Sequence, residues 1–330
     1  MPRRLVVGGV WLLLFLIGLA LVRLRRRPQA LFLTPVVVGS GNQALSEQSV
    51  RASMAEAENI WRPDLSRVYT NPQVRADPPR ITGKSALAID TATGKILFSL
   101  NPRRRQSVAS TIKILTAVVA LDQASPEKLI TITERAAGIG EDTMGLTAGE
   151  KYTLKELLYG LLLPSGNDAA EAIADGVGGD RATFVGWMNE KARYLGLEDT
   201  LCTDPSGLAD PGDENQYSTA YDLLVITYYA LNKYPLIKEI VSTEEFELAE
   251  SASHKYVHLW NMTNLLDTYP GVYGVKPGYN DYSGLCLVTA CRQGGHNLLA
   301  VVLGSDDRRG DMRALLDYSW AQLGVETSSQ

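Results

Sequence analysis

Histidine is scarce: three stand in 330 residues, none in a suggestive setting, so hydrolysis through an imidazole base and a serine fits this chain poorly. His254 and His258 are spaced like two metal ligands on a helix, but Lys255 occupies the place of a catalytic glutamate and no third ligand is evident; no metal site is expected. Cysteine is equally rare. Cys202, Cys286 and Cys291 make no disulfide framework. The last two lie five apart in an expected strand, so they should point to opposite faces as small buried side chains. The body also lacks positive charge. Of 32 Lys+Arg, six arginines lie in residues 1–27 without an acid, and the other 26 face all 37 Asp+Glu. An acidic body argues against nucleic acid as a partner. Gly83-Lys84-Ser85 imitates the end of a phosphate-binding loop, but the motif's first glycine would fall on Pro78 and the segment precedes a strand. No cofactor is expected.

Three regions are present. Leu5–Val22 is uncharged and almost wholly apolar between basic flanks, and its 18 residues reach about 27 Å as a helix, just enough to span a bilayer. Residues 1–27 therefore read as a membrane anchor, with a cleaved signal segment as the alternative. Four arginines follow the apolar run and two precede it, which taken alone would keep the body in the cytoplasm. Residues 28–80, broken by six prolines, read as a stalk, in which Val50, Met54, Ala57 and Trp61 could share one side of a short helix. Residues 81–330 form the globular part.

That part opens with two strands, "SALAIDT" and "GKILFSL", joined at Ala92–Gly94 as a hairpin. Ser110–Asp122 reads as a helix, apolar nearly all round and so buried. Helical pattern fills 154–195, and "STAYDLLVITYYAL" makes another helix with Ser218 as its N-cap. Strands return in "GVYGVKPGY", "GLCLVTACR" and "NLLAVVLGS", before a last helix from about Asp306 to Leu323. The class is α/β of the α+β type: one antiparallel sheet built from both ends of the domain, flanked by helices, with an all-helical subdomain between.

Chemistry points to the mouth of the buried helix. Ser110 and Lys113 are three apart there and share one face. Serine is a poor nucleophile until a base takes its proton, and a lysine neutralised by burial can be that base. The same spacing at Ser125 and Lys128 falls at a helix end and carries no such setting. Ser165-Gly166-Asn167 lies in a loop between two helices, and Lys276 and Gly278 follow on a strand. S-x-x-K, an S-x-N triplet and K-x-G thus stand in the order known for serine β-lactamases and penicillin-binding proteins.

With "VASTIKILTAVVALD", "SGNDAAEAIA", "DPSGLADPGDENQYSTAYDL" and "GVYGVKPGY", residues 81–322 resemble the serine D-alanyl-D-alanine carboxypeptidases among the low-molecular-mass penicillin-binding proteins. The resemblance implies a β-lactamase/transpeptidase-like fold and removal of the terminal D-alanine from peptidoglycan stem peptides through an acyl-enzyme. It implies Ser110 as nucleophile, Lys113 as base, Ser165 as proton relay and Asn167 as support for the substrate amide. Lys276 would supply positive charge that keeps Lys113 neutral and draws the substrate carboxylate. The backbone N–H groups of Ser110 and Tyr279, beside Gly278, would form the oxyanion hole. β-Lactam antibiotics are the implied covalent inhibitors, and a wall substrate implies an extracytoplasmic body. Two departures stand out. Pro277 replaces the family's K-T-G threonine, and the 52 residues after Gly278 leave no room for a further C-terminal domain. A D,D-endopeptidase, a weak β-lactamase or a catalytically weak wall-binding relative are the competing readings.

Overall fold

The computed structural model describes residues 60–208, 215–263 and 265–326. The expected anchor lies outside them, as does the expected short helix of the stalk up to residue 59; Ile60 and Trp61, at its end, are described and not helical. Among the described residues no helix is long and apolar enough to cross a membrane.

The strands are β1 Ser85–Asp90, β2 Lys95–Leu100, β3 Leu129–Thr131, β4 Lys151–Thr153, β5 Glu245–Leu248, β6 Val257–Trp260, β7 Val272–Asn280, β8 Gly284–Gln293 and β9 His296–Ser305. The helices are α1 Lys113–Gln123, α2 Glu134–Ala137, α3 Leu154–Leu162, α4 Asn167–Gly178, α5 Arg181–Tyr194, α6 Ala220–Lys233, α7 Pro235–Val241 and α8 Arg308–Leu323. Five strands form one antiparallel sheet in the order β2-β1-β9-β8-β7. Both ends of the domain supply it, as expected. β3 and β4 pair apart from it, as do β5 and β6; the sequence reading had neither pair.

The central strands are apolar at successive positions because both faces of the sheet are covered. Leu87, Ile89, Val288 and Val301 face the core that holds α1, α3, α4 and α6. Ala86, Ala88, Ala300 and Val302 face Met312, Leu315, Leu316 and Trp320 of α8. Cys286 falls in the first core and Cys291 in the second, as their odd spacing requires. The first eight residues of α1 are all buried, which accounts for a helix with no polar face.

Three boundaries differ from the reading above. Ser110 does not begin α1; it lies in a 3-10 turn, Ala109–Ile112, that runs into it. The cap of α6 is Thr219, whose Oγ1 accepts from Asp222 N at 3.0 Å. Ser218 is instead tied by backbone hydrogen bonds to Gln106. Finally, the packed body starts before residue 81. Trp61 stacks on Tyr228 at 4.1 Å, Tyr69 N donates to Ile96 O at 2.6 Å, and Ile60, Leu65, Tyr69 and Ala76 pack on the two cores. Prolines break regular structure in residues 60–80, but Trp61 and Tyr69 still half-bury themselves against the two cores.

Candidate active site

The 3-10 turn at the mouth of α1 sets the first two groups. Ser110 is 9% exposed and Lys113 fully buried. The Lys113 ammonium donates to Ser110 Oγ at 2.8 Å, to Asn167 Oδ1 at 2.8 Å and to the Ser206 carbonyl at 2.6 Å. The Lys113 stem is thus buried with the helix among Ile112, Ile114 and Leu115, while its nitrogen bridges three separate segments.

Ser165 precedes α4 in a left-handed conformation, φ +70°. It is buried, and its Oγ has no hydrogen-bond partner among the described residues. Asn167 begins α4 with both ends of its amide in use: Oδ1 accepts from Lys113, and Nδ2 donates to Gly140 O at 3.2 Å. Its neighbour Asp168 accepts from the N–H groups of Met144, Gly145 and Leu146 at 2.8–3.0 Å. These bonds fasten the loop carrying Glu141 and Asp142 to α4.

On the other side, β7 is an edge strand of the sheet and lies against the 3-10 turn. A Cβ on Gly278 would sit 3.1 Å from Ser110 N, Thr111 N and Val108 O, so only glycine lets strand and turn approach this closely without adjustment. Lys276 is fully buried and donates to the Pro277 carbonyl at 3.2 Å. Strand pairing runs unbroken through Pro277, opposite Leu287. A proline is tolerated there when its nitrogen faces away from the ladder. Residues two apart in a strand orient alike, so the Tyr279 N–H faces the cleft as well. The Tyr279 side chain is exposed.

Burial is the main force on both lysines. It lowers Lys113 to about 7, against the opposing pull of Asp204, Asp142, Asp168 and Glu141. It lowers Lys276 well below its ordinary value, and the charge of Lys113 lowers it further. The two buried amines thus disfavour each other's charge, while Asp204, Asp142, Asp168 and Glu141 pull Lys113 back toward the ammonium form.

Sequence reasoning missed three contributors. Arg308, at the start of α8, donates to Gly278 O at 2.9 Å and adds a cation beside Lys276. The Ser206 carbonyl grips Lys113, and a backbone acceptor leaves no side-chain signal. Asp204 organises the turn that holds that carbonyl. The rejected groups lie elsewhere: Ser125 is exposed and hydrogen-bonds Glu127, and His258 lies on β6 beside Glu245. The arrangement as a whole joins a serine hydroxyl to a buried amine, with a second buried lysine and Arg308 beside it on β7 and α8. It is suited to acyl transfer on an anionic substrate.

The family profile described as D-alanyl-D-alanine carboxypeptidase matches residues 72–307. The chain is 35% identical over 247 residues to the D-alanyl-D-alanine carboxypeptidase DacF of Bacillus subtilis, covering 72% of this chain and 62% of that protein. It is 32% identical over 269 residues to a D-alanyl-D-alanine carboxypeptidase of a Streptomyces species, covering 76% and 91%. The crystal structure of the Streptomyces K15 DD-transpeptidase superposes with a TM-score of 0.69 at 30% identity, over 74% of this chain and all of that one. The matched stretch thus spans less than two thirds of the Bacillus relative but nearly all of the Streptomyces proteins. The chain belongs to the D-alanyl-D-alanine carboxypeptidase family of serine peptidases.

Proposed function

We propose that this chain removes the terminal D-alanine from peptidoglycan stem peptides ending in D-Ala-D-Ala. The observation that carries the reading is the 2.8 Å hydrogen bond between Ser110 Oγ and the buried Lys113 nitrogen. Ser110 gives its proton to neutral Lys113 as its Oγ bonds to the carbonyl carbon of the penultimate residue. The N–H groups of Ser110 and Tyr279 receive the developing oxyanion. The carbon–nitrogen bond then breaks, and the leaving amine takes a proton through Ser165, whose hydroxyl has no hydrogen-bond partner among the described residues. Water hydrolyses the ester and restores Ser110. A β-lactam enters the same first step and is held as the acyl-enzyme.

Lys276 and Arg308 provide the pole for the substrate carboxylate. An anion beside Lys276 raises that lysine's proton affinity, and a charge there disfavours one on Lys113. Substrate binding therefore helps put Lys113 in the neutral form that acylation needs. The test is release of D-alanine from a pentapeptide, together with covalent capture of a fluorescent penicillin. Penicillin capture without D-alanine release would shift the assignment to another acyl transfer, and failure of both would leave a wall-binding role.

Pro277 bears on the rate. It has no hydroxyl to offer the carboxylate, and a hydrogen bond to a charged group is worth roughly 1.5–3 kcal/mol. Pro277→Thr should raise the efficiency of D-alanine release about tenfold if one such bond is regained. An unchanged rate in a folded variant would mean that Arg308 already fills the threonine's place.

We further propose that the body lies outside the cytoplasm, tethered by Leu5–Val22, because its substrate is the wall. Protease added to cells stripped of their wall should degrade the body. Full protection would restore the orientation that the flanking arginines favour.

A further inference from the structure

The reaction scheme makes no use of one buried carboxylate close behind Lys113. Asp204 is 4% exposed. Its Oδ1 accepts from Ser206 N at 2.6 Å, Ser206 Oγ at 2.8 Å and Gly207 N at 2.6 Å. Three donors on one carboxylate oxygen fix the peptide units of the 204–207 turn. The turn is also held from outside. Thr116 Oγ1, three residues beyond Lys113 on α1, donates to Pro205 O at 2.6 Å. Asn280 Nδ2 donates to Gly207 O at 3.3 Å. Gly207 has φ +80°, and a Cβ there would sit 2.1 Å from Ala109 O, so the turn lies directly on the turn that bears Ser110. Of the contacts made by the Lys113 nitrogen, the one to Ser206 O is the shortest.

We propose that Asp204 is a positioning residue for the acyl transfer described above. Its turn aims a carbonyl at Lys113, and its charge stabilises the ammonium that forms when Lys113 takes the Ser110 proton. The inference rests on that reaction and adds no reactant to it: one proton moves from Ser110 Oγ to Lys113 Nζ as Ser110 bonds to the substrate carbon.

A general base works best when its proton affinity lies near the working pH. Burial alone makes Lys113 a weaker base, and the surrounding carboxylates offset this. Asp204 pulls most strongly, ahead of Asp142, Asp168 and Glu141. Glu141 and Asp142 are exposed, where water and salt screen them. Asp168 is buried as well, but its three N–H donors come from the 144–146 loop and not from the turn that bears the carbonyl acceptor. Against these stands Lys276, with Arg308 beside it. Asp204 is the acid enclosed on the same turn as the carbonyl acceptor.

The experiment is the pH dependence of penicillin acylation in the full-length chain. Asp204→Asn keeps an acceptor oxygen for the turn but removes the charge. The acid-side midpoint should move to lower pH by on the order of one unit, with a lower plateau because the base is weaker. Thr116→Val loosens the same turn without changing charge and should leave the midpoint in place. Asp204→Ser gives the same reading should the asparagine variant not fold. A neutral variant that slows acylation equally at every pH, with an unmoved midpoint, would reduce Asp204 to a scaffold role and overturn the proposal. A wild-type chain that captures no penicillin would instead overturn the acyl-transfer reading itself.

Discussion

Ser110→Ala should abolish covalent capture of a fluorescent penicillin and bring D-alanine release down to background, in a protein that still folds. The loss is total because the acyl bond has no other atom on which to form. Ser165 is near in the fold, but its Oγ makes no hydrogen bond to a base among the described residues. Ser125, which has its own lysine three residues on, is exposed and bound to Glu127. Folding should survive, since Lys113 keeps two of its three acceptors, Asn167 Oδ1 and Ser206 O. One lost hydrogen bond costs about 1 kcal/mol, so the thermal midpoint should move little. Labelling that persists in the variant, or maps to Ser125 or Ser165, sinks the assignment.

Lys113→Arg should retain Ser110 and yet acylate about 10²–10⁴-fold more slowly, the usual contribution of a positioned general base. Arginine stays charged at any pH the protein experiences and cannot accept the proton. Because the larger guanidinium must also fit a fully buried site, Lys113→Met is the companion: similar bulk, no charge, no base. Both should be equally dead, and near wild-type acylation in either would refute the role. The wild-type pH profile supplies a second check. Acylation needs neutral Lys113, so its rate should fall as pH drops through about 7 and level off above it. The stability sign follows from the same shift. Between about 7 and the ordinary lysine value of 10.5 the folded state binds fewer protons than the unfolded chain, so stability rises with pH across that window. The cost of a buried ammonium is felt in full below it, where Lys113→Met should gain most.

The large elements were legible because each repeats one rule over many residues. The β1–β2 hairpin, the apolar α1 and the three closing strands all showed continuous burial patterns, and the site motifs stood on them. The small elements were not. β3 and β5 are short and mostly exposed, so neither has an apolar period to read. α2 spans four residues, too few for one. Ser218 and Thr219 are both good caps, and backbone pairing to Gln106 decided between them. Residues 60–80 looked like a stalk because prolines were weighed above Trp61 and Tyr69, whose packing against the cores is a tertiary fact. Within the site, side chains that name their chemistry were found: Ser110, Lys113, Ser165, Asn167 and Lys276. Arg308 was hidden by its distance along the chain. Ser206 was hidden because its carbonyl, and not its hydroxyl, meets Lys113.

Pro277 also bears on how the sheet ends. β7 is its last strand, and an exposed edge is a template on which another chain can add a strand. Around Pro277 that edge is closed from within: the residue is buried, the 3-10 turn lies against Gly278, and Arg308 takes the Gly278 carbonyl. The segments that build the active site thus also seal the rim of the sheet, so Pro277→Thr should change the hold on the substrate without making the chain prone to self-association.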